Sequence, residues 1–173
     1  MKKIERFGGT KIIFFISFFF SIILLSCDNP VENDPEKLFG TWFNEDSGIY
    51  TEESHADTLF YTDRLEIQFI PPNITKTERK IFETGTNIFL GYRYRGEGTF
   101  YVSGNRLNMF TDKAAYNDDE VSFYSTSLEL IPIRREPERV TYKINMNILQ
   151  FIYPPCPPNA NCIGSQSFFR SSY

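Results

Sequence analysis

Three thiols and a lone imidazole are the side chains of this sequence best placed to do chemistry. Cys27 ends the run Leu24-Leu25-Ser26-Cys27, in which a small residue precedes a nucleophilic thiol. Upstream lie Lys2, Lys3, Arg6 and Lys11, then an apolar run from Ile12 to Leu25 broken only by Ser17 and Ser21, the layout of a cleavable secretory signal. That 14-residue run is short of the roughly 20 residues that span a bilayer, so cleavage is expected rather than a membrane helix. Removing Cys27 from the count leaves an even pair, Cys156 and Cys162, and an export compartment is oxidising, so the two are expected as a disulfide. Closing Cys156-Pro157-Pro158-Asn159-Ala160-Asn161-Cys162 stabilises by roughly 2 kcal/mol through loop entropy, and the prolines restrict the unfolded chain further.

Other chemistries lack their partners. A redox pair wants Cys-x-x-Cys, and a zinc site wants four ligands where two thiols and one distant His are present. His55, the only histidine, sits in Glu52-Glu53-Ser54-His55-Ala56-Asp57 without a nucleophile elbow or metal-ligand spacing, and is expected as a solvated loop residue rather than the base of a hydrolase. Asp112 with Asn117-Asp118-Asp119-Glu120 lacks the alternate spacing and the Gly of a calcium loop. Gly91, Gly96 and Gly98 never open a helix, so no phosphate cradle forms, and nothing selects a catalytic carboxylate pair. No metal, no cofactor and no catalytic residue is therefore expected.

The basic start, apolar run and terminal Ser26-Cys27 resemble the signal peptide of bacterial lipoproteins. That resemblance implies cleavage before Cys27 and acylation of its thiol, usually of its new amino terminus too, with about 0.8 kcal/mol of anchoring per buried methylene. Residues 1–26 are then the signal, and a polar, proline-bearing stretch from Cys27 to Lys37 reads as a lipidated tether. Asp28 after the cysteine resembles the inner-membrane retention signal of enteric bacteria; other lineages read other signals, so inner and outer membrane both stay open.

Cleavage leaves 147 residues carrying 14 Lys+Arg and 21 Asp+Glu, one domain of net charge −7. Such a balance disfavours nucleic acid and anionic headgroups as partners. Twelve Phe, ten Tyr and one Trp remain, a composition suited to strands. Arg64 to Phe69 alternates, with Leu65, Ile67 and Phe69 on one face. Ile74 to Glu83 reads as a charged strand at an edge or on a wet face, Ile88 to Arg95 and Val121 to Ile133 as strands or strand pairs, and Ser167 to Arg170 as the last strand, while Glu45 to Thr58 reads as loop. Sliding the chain by 42 residues aligns Thr99 to Leu107 on Thr141 to Leu149 without gaps, predicting two hairpins whose turn Asn residues take positive φ. No helix is expected.

Eight to ten strands in local hairpins predict an all-β, antiparallel up-and-down barrel over residues 38–173. The opening Leu38-Phe39-Gly40-Thr41-Trp42-Phe43 and the closing Arg170 resemble the lipocalin-like (calycin) barrels of small bacterial lipoproteins. In that superfamily the Trp closes one end and the Arg lies across its ring, which assigns barrel closure to Trp42 and Arg170; a C-terminal helix and a Thr-Asp-Tyr-type motif are missing here. The resemblance implies a non-enzymatic binding protein, for a small apolar ligand or for another envelope protein; Phe69, Phe100, Tyr142 and Phe151 are the inward aromatic positions that either line a ligand or, as a barrel of this size favours, fill the interior. The rival is an inhibitor or adhesin that works through the stiff loop 154–162.

Overall fold

The computed structural model describes residues 34–51, 58–118, 122–155, 157 and 162–172. Nine strands run in order: β1 (Gly40–Thr51), β2 (Thr58–Ile70), β3 (Ile74–Glu83), β4 (Phe89–Ser103), β5 (Arg106–Tyr116), the two-residue β6 (Ile131–Pro132), β7 (Glu138–Asn145), β8 (Ile148–Ile152) and β9 (Ser165–Arg170). All neighbours are antiparallel, and β4 pairs β5 while β9 pairs β1. Eight strands therefore close into an up-and-down barrel, with β6 added beside the upper part of β5. An even strand number is what lets first and last strands meet antiparallel, and closure leaves no long free edge.

The alternation of β2 sets the inner face. Leu65, Ile67 and Phe69 point inward, as do Trp42 on β1, Phe100 on β4, Leu107 and Met109 on β5, Val140 and Tyr142 on β7, Leu149 and Phe151 on β8, and Phe168 on β9; nearly all are buried in one core. β3 is not an edge strand: it pairs β2 along its whole length and β4 across two irregularities, and Lys76, Glu78 and Lys80 lie on the wet outer wall while Arg79 turns inward. Glu45 to Thr51, expected as loop, continues β1 in unbroken register with β2. Its polarity reflects its position at the barrel mouth, where both faces meet water. The expected strand pair in Val121 to Ile133 is reduced to β6 and a single bridge from Ser125 to Tyr92. Pro35–Leu38 forms one 3-10 turn, capped by the Asp34 carboxylate accepting from the Glu36 N–H at 2.9 Å.

The internal repeat is two hairpins side by side. Ser103 faces Arg106 across Gly104-Asn105, Asn145 faces Ile148 across Met146-Asn147, and Arg106 in turn faces Thr141. Positive φ falls on the first loop residue, 61° at Gly104 and 52° at Met146, and not on the asparagines. That is the type II′ pattern, whose first position favours glycine. Met146 is 89% exposed, so it holds this conformation with little packing in return. Met146→Gly is expected to raise the unfolding free energy by about 0.5–1 kcal/mol, read as a later urea midpoint at unchanged slope.

Candidate functional site

The barrel is filled at one end and hollow at the other. At the closed end Trp42 is fully buried, its indole N–H donating to the Leu38 carbonyl at 2.7 Å. Arg170, its cross-strand partner, lies with its guanidinium carbon 4.5 Å from the Trp42 ring centroid and donates to the Lys37 carbonyl. The Arg170 Nε is buried without a hydrogen-bond acceptor, so the ring face is what that part of the cation meets. Of the two roles open to the four inward aromatic residues, lining a ligand or filling the barrel, they take the second in this half. Phe69 and Phe100 meet edge to face at 5.1 Å, Tyr142 and Phe151 are cross-strand partners, and Phe151 contacts Phe168 at 5.0 Å. All four are 6% exposed or less.

Above this core opens a cavity of about 770 Å3, and none of those four residues lines it. Leu65 and Met109 form its apolar floor, and a rung of cross-strand partners forms its belt: Asn44, Leu65, Arg79, Tyr94 and Tyr116, one from each of β1 to β5. The Asn44 amide donates to the Ser167 carbonyl at 2.9 Å, stitching the seam where β1 and β9 share only two backbone partners. Arg79 grips Asp63, its Nε 2.8 and 2.9 Å from the two carboxylate oxygens and its Nη2 2.7 Å from one. The carboxylate is nearly buried and the guanidinium half exposed, so the pair presents a fixed, neutralised fork to the cavity.

On the facing wall, Tyr94 and Tyr116 lie 4.9 Å apart, and Arg135 covers the Tyr116 ring at 4.9 Å. Burial, reinforced by Tyr116, raises the Tyr94 hydroxyl pKa above the usual phenol value, with Thr111 and Arg135 partly offsetting it. Glu138 enters the same cavity from β7, reachable by water yet ringed by protein. Burial raises its carboxyl above the usual range despite a hydrogen bond from Tyr153, whose own hydroxyl burial and the Glu138 charge push up to about 12. The Tyr153 hydroxyl also lies 3.3 Å from the Gln166 side-chain oxygen.

A carboxyl whose folded pKa is raised binds its proton more tightly when folded, so stability falls as pH rises from the ordinary carboxylate value through the folded one. Glu138→Gln is therefore expected to match the wild type at about pH 4 and to exceed it near pH 7, measured as melting temperature against pH.

Pro154, Pro155 and Pro157 are exposed beside the mouth, and the base of their loop is tied by the Tyr153 N–H donating to the Gly164 carbonyl at 3.1 Å. Ile163 from the same loop reaches the cavity rim. Cys162 is half of a disulfide; Cys156, its expected partner, lies outside the described residues, as do Cys27, His55, Asp119 and Glu120. Asn117 joins the rim and bonds the Ser122 carbonyl. Among the described residues no three His, Cys, Asp or Glu side chains converge as a metal set.

The belt was missing from the sequence reading, although one signal marked it. Asn44 and Asp46 continue the inward phase of Trp42, and Asp63 continues that of Leu65, Ile67 and Phe69, so polar residues stand in phase with a buried apolar face. Comparisons with protein-family models, with curated proteins and with solved structures found no match.

Proposed function

We propose that this chain is a lipid-anchored bacterial envelope protein whose barrel is a non-catalytic receptor for a small polar molecule. The anchor rests on the Ser26-Cys27 cleavage pattern behind its basic and apolar leader. The lipocalin-like assignment rests on the eight-stranded closed barrel with Arg170 across Trp42 at its shut end. A bridge between Cys156 and Cys162 belongs to this reading, and Ile163 at the cavity rim favours counting that segment with the same site rather than as a separate inhibitory or adhesive device.

The observation that carries the ligand reading is the lining of the cavity. An apolar ligand finds the aromatic interior already occupied, whereas the hollow half offers the Arg79–Asp63 fork, the Asn44, Gln166 and Glu138 side chains and two tyrosine rings over a small apolar floor. Fixed groups that each present paired donors or acceptors suit a compact, hydrogen-bonding molecule, and the tyrosine rings offer faces to its carbon skeleton. Acids and bases in the lining nearly balance, so no net charge is demanded of the ligand.

Native mass spectrometry of the protein extracted from its own host's envelope tests this. A stoichiometric small mass that leaves in organic solvent, and that is lost from a Tyr116→Ala protein retaining its β circular dichroism, is the expected result. A polypeptide bare of any ligand, or a fatty acyl ligand held equally by the variant, would overturn it.

A further inference from the structure

Charge is distributed unequally around the barrel wall. On the outer faces of β1 to β4 every sign is answered: Arg64 pairs Glu45, Lys80 bridges Glu66 at 2.5 Å and Glu78 at 2.9 Å, Arg95 meets Glu78 at 3.1 Å, and Lys76 meets Glu97 at 3.7 Å. The opposite wall is different. From Arg106 to Phe110 of β5, and along β7, β8 and β9, the residues alternating with the buried core carry Arg106, Arg139 and Lys143 and no acid. None of these three cations has an ion-pair partner among the described residues. A groove of about 810 Å3 runs past Arg106 and Arg139.

The same wall exposes apolar side chains where the chain enters the barrel. Met146 is 89% exposed, Ile148 42% and Phe169 50%, and Ile148 and Phe169 are cross-strand partners. Phe169 precedes Arg170, the residue that binds the Lys37 carbonyl at the start of the fold. Six residues, 28 to 33, separate Cys27 from Asp34, a reach of at most about 25 Å.

We propose that this wall is a docking face for the bilayer that holds the acylated Cys27: anionic phospholipid headgroups meet Arg106, Arg139 and Lys143, while the exposed apolar side chains enter the interface. Cations above a rim of aromatic and aliphatic groups are what a membrane surface selects. The inference rests on the lipid anchor of the function proposed above and not on what the cavity holds. An acidic chain is repelled by anionic lipid when its charge is averaged; here the acids of the wall are paired on β1 to β4, and the docking face is locally positive. Three cations are fewer than a free-standing lipid-binding cluster uses. They suffice for a tethered domain, because the anchor makes docking intramolecular and its effective concentration high. Docked in this way, the barrel lies on its side and its mouth stays open to water.

The test uses the full lipidated protein in vesicles of phosphatidylcholine, alone or mixed with phosphatidylglycerol, with lysine acetylation rates read by mass spectrometry. Lys143 is expected to react about fivefold more slowly on the anionic vesicles, with Lys76 on the opposite wall unchanged. Salt at roughly 0.5 M should remove the difference, as should the double variant Arg106→Glu, Arg139→Glu, which leaves Lys143 as the reporter. Equal Lys143 rates on both vesicles would overturn the inference. So would protection independent of lipid charge that grows with protein density, the mark of a second copy on this face. Loss of the protein from both vesicle types would overturn the anchor itself.

Discussion

Gly98→Ala is expected to cost the barrel about 3 kcal/mol or more of unfolding free energy, enough to leave little folded protein at ordinary temperature. A Cβ built on Gly98 would sit 1.7 Å from the Phe110 carbonyl oxygen, 2.8 Å from its carbon and 3.0 Å from the Thr111 Cα. These are backbone atoms of the neighbouring strand, so no rotamer change relieves the clash and β4 and β5 must part. The position is where the β4–β5 register shifts, between Glu97 and Gly98, a bulge that bends the wall just above Phe100. Gly104→Ala is the control. It too replaces a glycine of this hairpin, but nothing lies within 4 Å of its Cβ and only its φ of 61° is strained, a cost of about 1 kcal/mol. Urea unfolding followed by circular dichroism separates the two, and a Gly98→Ala midpoint no lower than that of Gly104→Ala would show that β4 and β5 do not approach this closely.

How much of this was legible in the sequence depends on how locally each feature is encoded. The inward face of β2 was readable from six consecutive residues, because Leu65, Ile67 and Phe69 alternate with Arg64, Glu66 and Gln68. The paired hairpins were readable because the pattern from Thr99 to Leu107 recurs at Thr141 to Leu149, although the residue at positive φ was not: hairpin geometry forces the first loop position, and Met146 accepts a conformation its side chain disfavours. Polar strand ends were misread. Glu45 to Thr51 pairs β2 residue for residue, but at the mouth both faces are wet and the alternation fades. The irregular course from Ser122 to Leu130 has the opposite cause, since its apolar side chains are used singly, as where Phe123 stacks on Tyr50 at 4.4 Å and takes Arg93 over its ring at 4.9 Å.

The cavity was the least legible part, for a reason of topology. Asn44, Arg79, Tyr94 and Tyr116 become neighbours only through four strand registers, two of them irregular, and a slip of one residue in any strand turns its member outward. Aromatic character marks Phe69, Phe100, Tyr142 and Phe151 as inward positions without saying at which level of the barrel they stand. Level is set by register with Trp42: Gly40 faces Phe69, which puts Phe69 below the tryptophan, while Asp46 faces Asp63 above it.

That register makes Trp42 the side chain with the most to lose. Trp42→Ala removes a fully buried indole from the centre of the closed end, and the transfer and cavity terms together are expected to cost about 3–5 kcal/mol. Two further losses accompany them. The Leu38 carbonyl, bonded to the indole N–H at 2.7 Å, is left without that donor, and the buried Arg170 Nε loses the ring that faces it. Trp42→Phe separates these contributions, since it keeps an aromatic face and most of the volume but deletes the N–H, for an expected cost of about 1–2 kcal/mol. Combining Trp42→Leu, which removes the ring, with Arg170→Met in a double-mutant cycle isolates the cation–ring contact, and a coupling of about 1 kcal/mol is expected. A coupling near zero would mean that Arg170 holds the closed end through its bond to the Lys37 carbonyl and its packing alone. In that case Arg170→Met by itself should cost as much in the Trp42→Leu background as in the wild type, and what shuts the barrel would be the turn at Pro35–Leu38 rather than the indole beneath the guanidinium.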